Sequence, residues 1–121
     1  MAEPIRDPVK LQEQVNQYQT LGQQLQIYDA QEQQISFLLE ELKQADQELK
    51  NSQGKIFRAV GHLMIEVNKK DATEDVIQKI ELYQTRLNTI KKQKENIKQK
   101  MEQLKEIIEK SLEQNKQTKQ S

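Results

Sequence analysis

The sequence predicts a mainly α fold: an antiparallel two-helix coiled-coil hairpin, with a single short β-hairpin connecting the helices and its strands contributing to an oligomeric β-barrel. Three observations predict it. Apolar residues recur at seven-residue intervals over both outer thirds of the chain. Both prolines fall within the first eight residues and there are only three glycines in 121, so little after residue 9 interrupts a helix. The stretch in between has the composition of strands rather than helix.

The first helix is expected over 9–53. Leu21, Tyr28, Ile35, Leu42 and Leu49 stand seven apart, with Leu38 and Ala45 in intervening positions. A second series, Leu11, Tyr18, Leu25 and Leu39, is interrupted only by Glu32 and broadens the stripe beyond one narrow seam. The connector is expected over 54–70. Leu63, Ile65 and Val67 alternate with Met64 and Glu66, and adjacent Ile56 and Phe57 put apolar groups on both faces of the first strand. Gly61-His62 reads as a two-residue type II′ turn, because glycine readily supplies the positive φ required first.

The second helix is expected over 71–117, with Asp71 capping, Glu74 reaching back in a capping box, and the helix starting near Ala72. Val76, Ile80, Tyr83, Leu87, Ile90, Lys94, Ile97, Met101, Leu104, Ile108 and Ser111 alternate steps of four and three without a break. Only Lys94 and Ser111 are polar in that series. The chain reads as one domain, 1–121, with frayed termini.

Two arms of about 45 residues, each ~65 to 70 Å long at ~1.5 Å per residue, imply a hairpin. Facing residues then sum to about 125, pairing Leu42 with Tyr83, Ile35 with Ile90, Tyr28 with Ile97 and Leu21 with Leu104. Lys94 falls opposite Gln31, beside Glu32, as a polar layer that fixes register at some cost in stability. Formal net charge is zero, yet residues 1–53 carry 4 basic against 9 acidic side chains and residues 71–121 carry 11 against 9. An acidic arm beside a mildly basic one favours antiparallel pairing. A lone two-stranded hairpin is marginal in water and its free edges invite further strands, so the connector calls for partner subunits. Strands pooled into a barrel would remove those edges.

Composition excludes much else. Only 34% of residues are hydrophobic, which disfavours a large globular core. No cysteine is present, so thiolate metal sites and disulfides are impossible, and a reducing compartment, the cytoplasm, is expected. The N-terminus lacks an apolar targeting core and no stretch is long enough for a membrane span, so a soluble protein without membrane partners is expected. His62 is the sole histidine, with no carboxylate at ligand spacing, and reads as a solvent-facing turn residue rather than a metal or catalytic group. The adjacent pairs Glu40-Glu41 and Glu74-Asp75 do not share a helix face, so no general acid/base pair emerges. Gly54 and Gly61 form no phosphate loop. No cofactor and no enzymatic activity are expected. Lys91, Lys92, Lys94, Lys98 and Lys100 form a basic stretch, but without stacking aromatics or net positive charge a nucleic-acid partner is not expected.

The run Phe57-Arg58-Ala59-Val60-Gly61-His62-Leu63-Met64-Ile65 between two equal heptad arms resembles prefoldin, specifically its β-type subunit. The family pattern at this hairpin is aromatic, basic, variable, aliphatic, glycine, then an aliphatic strand, and every position is filled. The resemblance spans essentially the whole chain, and one hairpin rather than two marks the β-type. It implies a heterohexamer of two α-type and four β-type subunits, acting as an ATP-independent holdase for unfolded proteins and delivering them to a group II chaperonin. By resemblance, clients are gripped near the free tips, at Val9, Leu11, Val15 and Tyr18 on one arm and Ile107, Ile108 and Leu112 on the other. Ile107 and Ile108 project about 100° apart, so one partner helix does not easily shield both. The oligomerisation set is Ile56, Phe57, Val60, Gly61, Leu63, Ile65 and Val67. The competing reading is a structural coiled-coil adaptor that oligomerises through its strands and holds defined partners.

Overall fold

A computed structural model describes the backbone of residues 3–120 and the side chains of residues 3–114. Its elements are α1 (Pro8–Asn51), β1 (Ile56–Val60), β2 (Leu63–Val67) and α2 (Lys69–Gln120). The chain divides into two compact units, Met1–Gln31 with Ile90–Ser121, and Glu32–Thr89.

The helix starts follow from local capping. Asp7 precedes α1, its Oδ1 accepting the Val9 N–H at 3.0 Å and its carbonyl accepting that of Leu11 at 2.9 Å. Pro8 then occupies the first helical position, where its missing N–H costs nothing. The start of α2 corrects the prediction. Asn68, not Asp71, is the cap: its Oδ1 accepts the Lys70 N–H at 2.8 Å and its carbonyl accepts that of Ala72 at 2.9 Å. The helix therefore begins at Lys69, and Asp71 lies inside the first turn, where a negative charge suits the helix dipole. At its other end α2 runs to Gln120, past the predicted limit of 117. The expected fraying of the extreme termini falls partly on residues outside the described set.

In the first unit, Leu21, Ile97 and Leu104 form the core, with Tyr18, Leu25, Tyr28, Met101 and Ile108 packed against it. Both predicted pairs in this region, Tyr28 with Ile97 and Leu21 with Leu104, thus meet in one cluster. Leu11 and Ile90 are also buried. Lys94 interrupts the apolar series as predicted, and its ammonium pairs with Asp29, two residues before the Gln31 that the register arithmetic placed opposite.

In the second unit, Leu39 is the most buried apolar side chain at 3% exposure, while Leu38 and Ala45 are only half-buried. Ile35, Leu42, Asp46 and Leu49 are half-buried as well, so the inward face of α1 here is the broad stripe that its two series imply, with Leu39 its most buried member; in the other unit Leu21 is buried and Leu25 and Tyr28 are half-buried. Asp46 on that face pairs with Lys50 at 3.2 Å through one oxygen. Every member of the series predicted for α2 is buried or half-buried.

The strands pair antiparallel in the register Ile56↔Val67, Phe57↔Glu66, Arg58↔Ile65, Ala59↔Met64 and Val60↔Leu63. Gly61 has φ 59°, and no described non-glycine residue has positive φ. A type I′ turn would need positive φ at His62 as well, so the turn is type II′, as read from the sequence.

Candidate interaction sites

No group of three or more His, Cys, Asp or Glu side chains among the described residues could hold a metal ion. No helix among them is long and apolar enough to cross a membrane. What the chain does present is apolar surface, at the hairpin and at the end of the first unit.

Alternation places Ile56, Arg58, Val60, Leu63, Ile65 and Val67 on one face of the hairpin, and Phe57, Ala59, Met64 and Glu66 on the other. Ile56 and Val67, paired at the strand bases, are half-buried and line a groove with Leu49, Ala72 and Val76. Arg58 anchors the hairpin to α2 through Asp75 at 2.7 Å, and Lys79 approaches the same carboxylate at 3.2 Å. Lys69 adds a bond to the Ser52 carbonyl at 2.9 Å. Beyond these anchors the sheet is open. Phe57, Val60, Leu63 and Ile65, all predicted, are exposed on a two-stranded sheet with both outer edges unpaired. Met64, at 67% exposure, belongs with them. It was legible as an alternating strand residue but was not among the predicted contacts. His62 is exposed in the turn.

The tip residues divide. Val9 and Leu112 are exposed, at 67% and 55%. Val15 and Ile107 are half-buried, and Tyr18 and Ile108 are half-buried against the core of their unit. Leu11 is buried. One participant at this end was missed: Ser111, fully buried, accepts the Ile5 N–H at 2.7 Å and donates to the Ile107 carbonyl at 2.7 Å. The sequence had marked Ser111 only as a polar interruption of the series. Exposed Ile27, Phe37, Ile77 and Leu82 lie outside both predicted sets.

The fold and these surfaces define a class: a mainly helical module of two long helices joined by a short antiparallel β-hairpin that exposes large apolar side chains. The prefoldin subunit family model matches residues 12–115. Prefoldin subunit beta of Pyrococcus horikoshii is 31% identical over 107 residues, 87% of this chain and 92% of that protein. Its counterpart in Methanothrix thermoacetophila is 34% identical over 107 residues, 87% of this chain and 89% of that protein. The crystal structure of the prefoldin beta subunit from Thermococcus strain KS-1 superposes with a TM-score of 0.80 at 27% identity, covering 91% of this chain and 97% of that one. The chain belongs to the prefoldin subunit family, and its relatives there are of the β-type. That is a family of chaperone subunits, not of enzymes.

Proposed function

We propose that the chain is the β-type subunit of an ATP-independent holdase that binds unfolded polypeptides at the coiled-coil tips and passes them to a group II chaperonin. The observation that carries the assembly half of this reading is the hairpin. Five large apolar side chains, Phe57, Val60, Leu63, Met64 and Ile65, stand exposed on a sheet of two strands. Isolated, such a sheet is marginal and prone to add strands, so its stable state is one in which other subunits cover it. α-type and further β-type subunits are the partners this reading assigns, in a heterohexamer working in the cytoplasm.

The client half rests on Val9 and Leu112, exposed among glutamines, glutamates and lysines. Isolated aliphatic groups of this kind grip many sequences weakly, and several arms acting together convert weak grips into useful avidity. Light-scattering mass of the chain, alone and mixed with an α-type subunit, followed by aggregation of a denatured test protein without nucleotide, tests both halves. A heterohexamer that suppresses aggregation is expected. A discrete homodimer that ignores both partner and client would overturn the reading in favour of a structural coiled coil.

A further inference from the structure

The residues preceding α1 are seated on the C-terminal part of α2. Asp7 caps α1 and Pro8 opens it, so the backbone of residues 3–7 leaves the helical path. The Ile5 N–H reaches Ser111 Oγ at 2.7 Å, across 106 residues of sequence. Pro4, itself half-buried, shares a shallow cleft with Lys110, Glu113 and Gln114. Ser111 is 0% exposed although it lies nine residues before the end of α2 at Gln120. Other hydroxyls in the helices, Thr20, Thr73, Thr85 and Thr89, make only the local bond to the carbonyl four residues back, and all are on exposed stretches.

We propose that Ser111, flanked by Ile107 and Ile108, is a docking site for the main chain of a client. It receives one N–H of an extended polypeptide beside an aliphatic side chain, and Pro4-Ile5 occupies it in cis as a stand-in for that client. This inference rests on the holdase reading and names the group at the tip that would take the client backbone. The occupant in cis has the chemistry in question: a non-helical segment, an aliphatic side chain and a main-chain donor.

Exchange is nearly neutral for polar groups. When the strap leaves, Ser111 keeps its bond to the Ile107 carbonyl, so no donor is stranded, and an acceptor lone pair is freed for an incoming N–H. The released Ile5 N–H finds water. Apolar contact and tethering then decide the outcome. The strap, whose Ile5 lies three residues before the start of α1, has the advantage of proximity over a single weak segment and yields to a client held on several arms at once.

The absence of cysteine allows a clean test in the assembled complex. Pro4→Cys with Glu113→Cys, oxidised, should lock the strap, and a permanently unfolded, carboxymethylated polypeptide bearing a fluorophore should then bind several-fold more weakly, with reductant restoring binding. Independently of whether that disulfide closes, Ile5→Ser should tighten binding of the same probe, and adding Ser111→Ala to it should weaken binding again. Hydrogen exchange should show the Ile5 amide protected in the free complex and released on adding the probe. Locked and reduced forms that bind equally, or Ile5→Ser binding as wild type does, would overturn the inference while leaving the holdase reading intact. A wild-type complex that binds no unfolded probe would instead remove the holdase reading itself.

Discussion

Gly22 sits in the middle of α1, where glycine is a poor helix former because of the backbone entropy it loses. A methyl group added there would meet Met101 Cε at 3.7 Å, an ordinary van der Waals distance. Gly22→Ala should therefore stabilise the fold by about 0.5–1 kcal/mol, read as a higher denaturation midpoint, with assembly unchanged. Lys94 acts through charge: it sits in an apolar series with its side chain 16% exposed and pairs with Asp29, which penalises any register that moves Asp29 away. Glu106 has a depressed carboxyl pKa. A hydrogen bond from Lys110 at 2.9 Å, reinforced by that ammonium's charge, holds its carboxyl below the usual carboxylate value. A depressed carboxylate pKa stabilises above the unfolded value, and that stabilisation is lost as pH falls through the folded value. Acidification below the usual carboxylate range should thus loosen this turn of α2. Hydrogen exchange around residues 106–110 should report it, and Lys110→Gln should abolish the pH dependence. Both side chains are well exposed, so the effect on global stability should be small.

At the scale of elements, the two ends of α2 contrast in how much the sequence revealed. The unbroken alternation of four and three from Val76 to Ser111 left one possible inward face, and burial follows it residue by residue. The start of α2 was read at Asp71, although Asn68, three residues earlier, also has a capping side chain and makes the cap. Capping-box chemistry favoured Asp71, yet the strand ends at Val67 and leaves Asn68 as the first residue free to turn the chain. The prediction that separates them is direct. Asn68→Ala should cost about 1 kcal/mol of stability in chemical denaturation. Asp71→Ala should cost less, because it removes only a favourable charge near the helix N-terminus. The hairpin was legible because alternation and Gly61 each point to it through local chemistry. Ser111 was not, because its meaning depends on Ile5, 106 residues away, and no local pattern encodes that contact. The greater depth of Leu39 than of Leu38 was not legible for a similar reason: both lie on the apolar stripe, and only packing against distant residues sets how deep each goes.

At the scale of the whole molecule, assembly and client holding make different demands on one chain. In the proposed function the hairpin buries large side chains permanently whereas Val9 and Leu112 stay available, and the two sets lie in different units of the fold. Separation of this kind predicts that client binding can be weakened without disturbing assembly. Val9→Ser with Leu112→Ser should leave the light-scattering mass of the complex unchanged, since neither residue lies in the hairpin. The stronger consequence concerns mixtures. If clients are held by several weak grips, each lost arm removes a factor from the combined affinity rather than a share of it. Complexes reconstituted from wild-type and doubly substituted chains in varied proportions should then lose aggregation suppression faster than the wild-type fraction falls, with half-substituted complexes retaining well under half the activity. A linear decline would mean that each arm holds clients alone, through a deeper site than two exposed aliphatic side chains can provide.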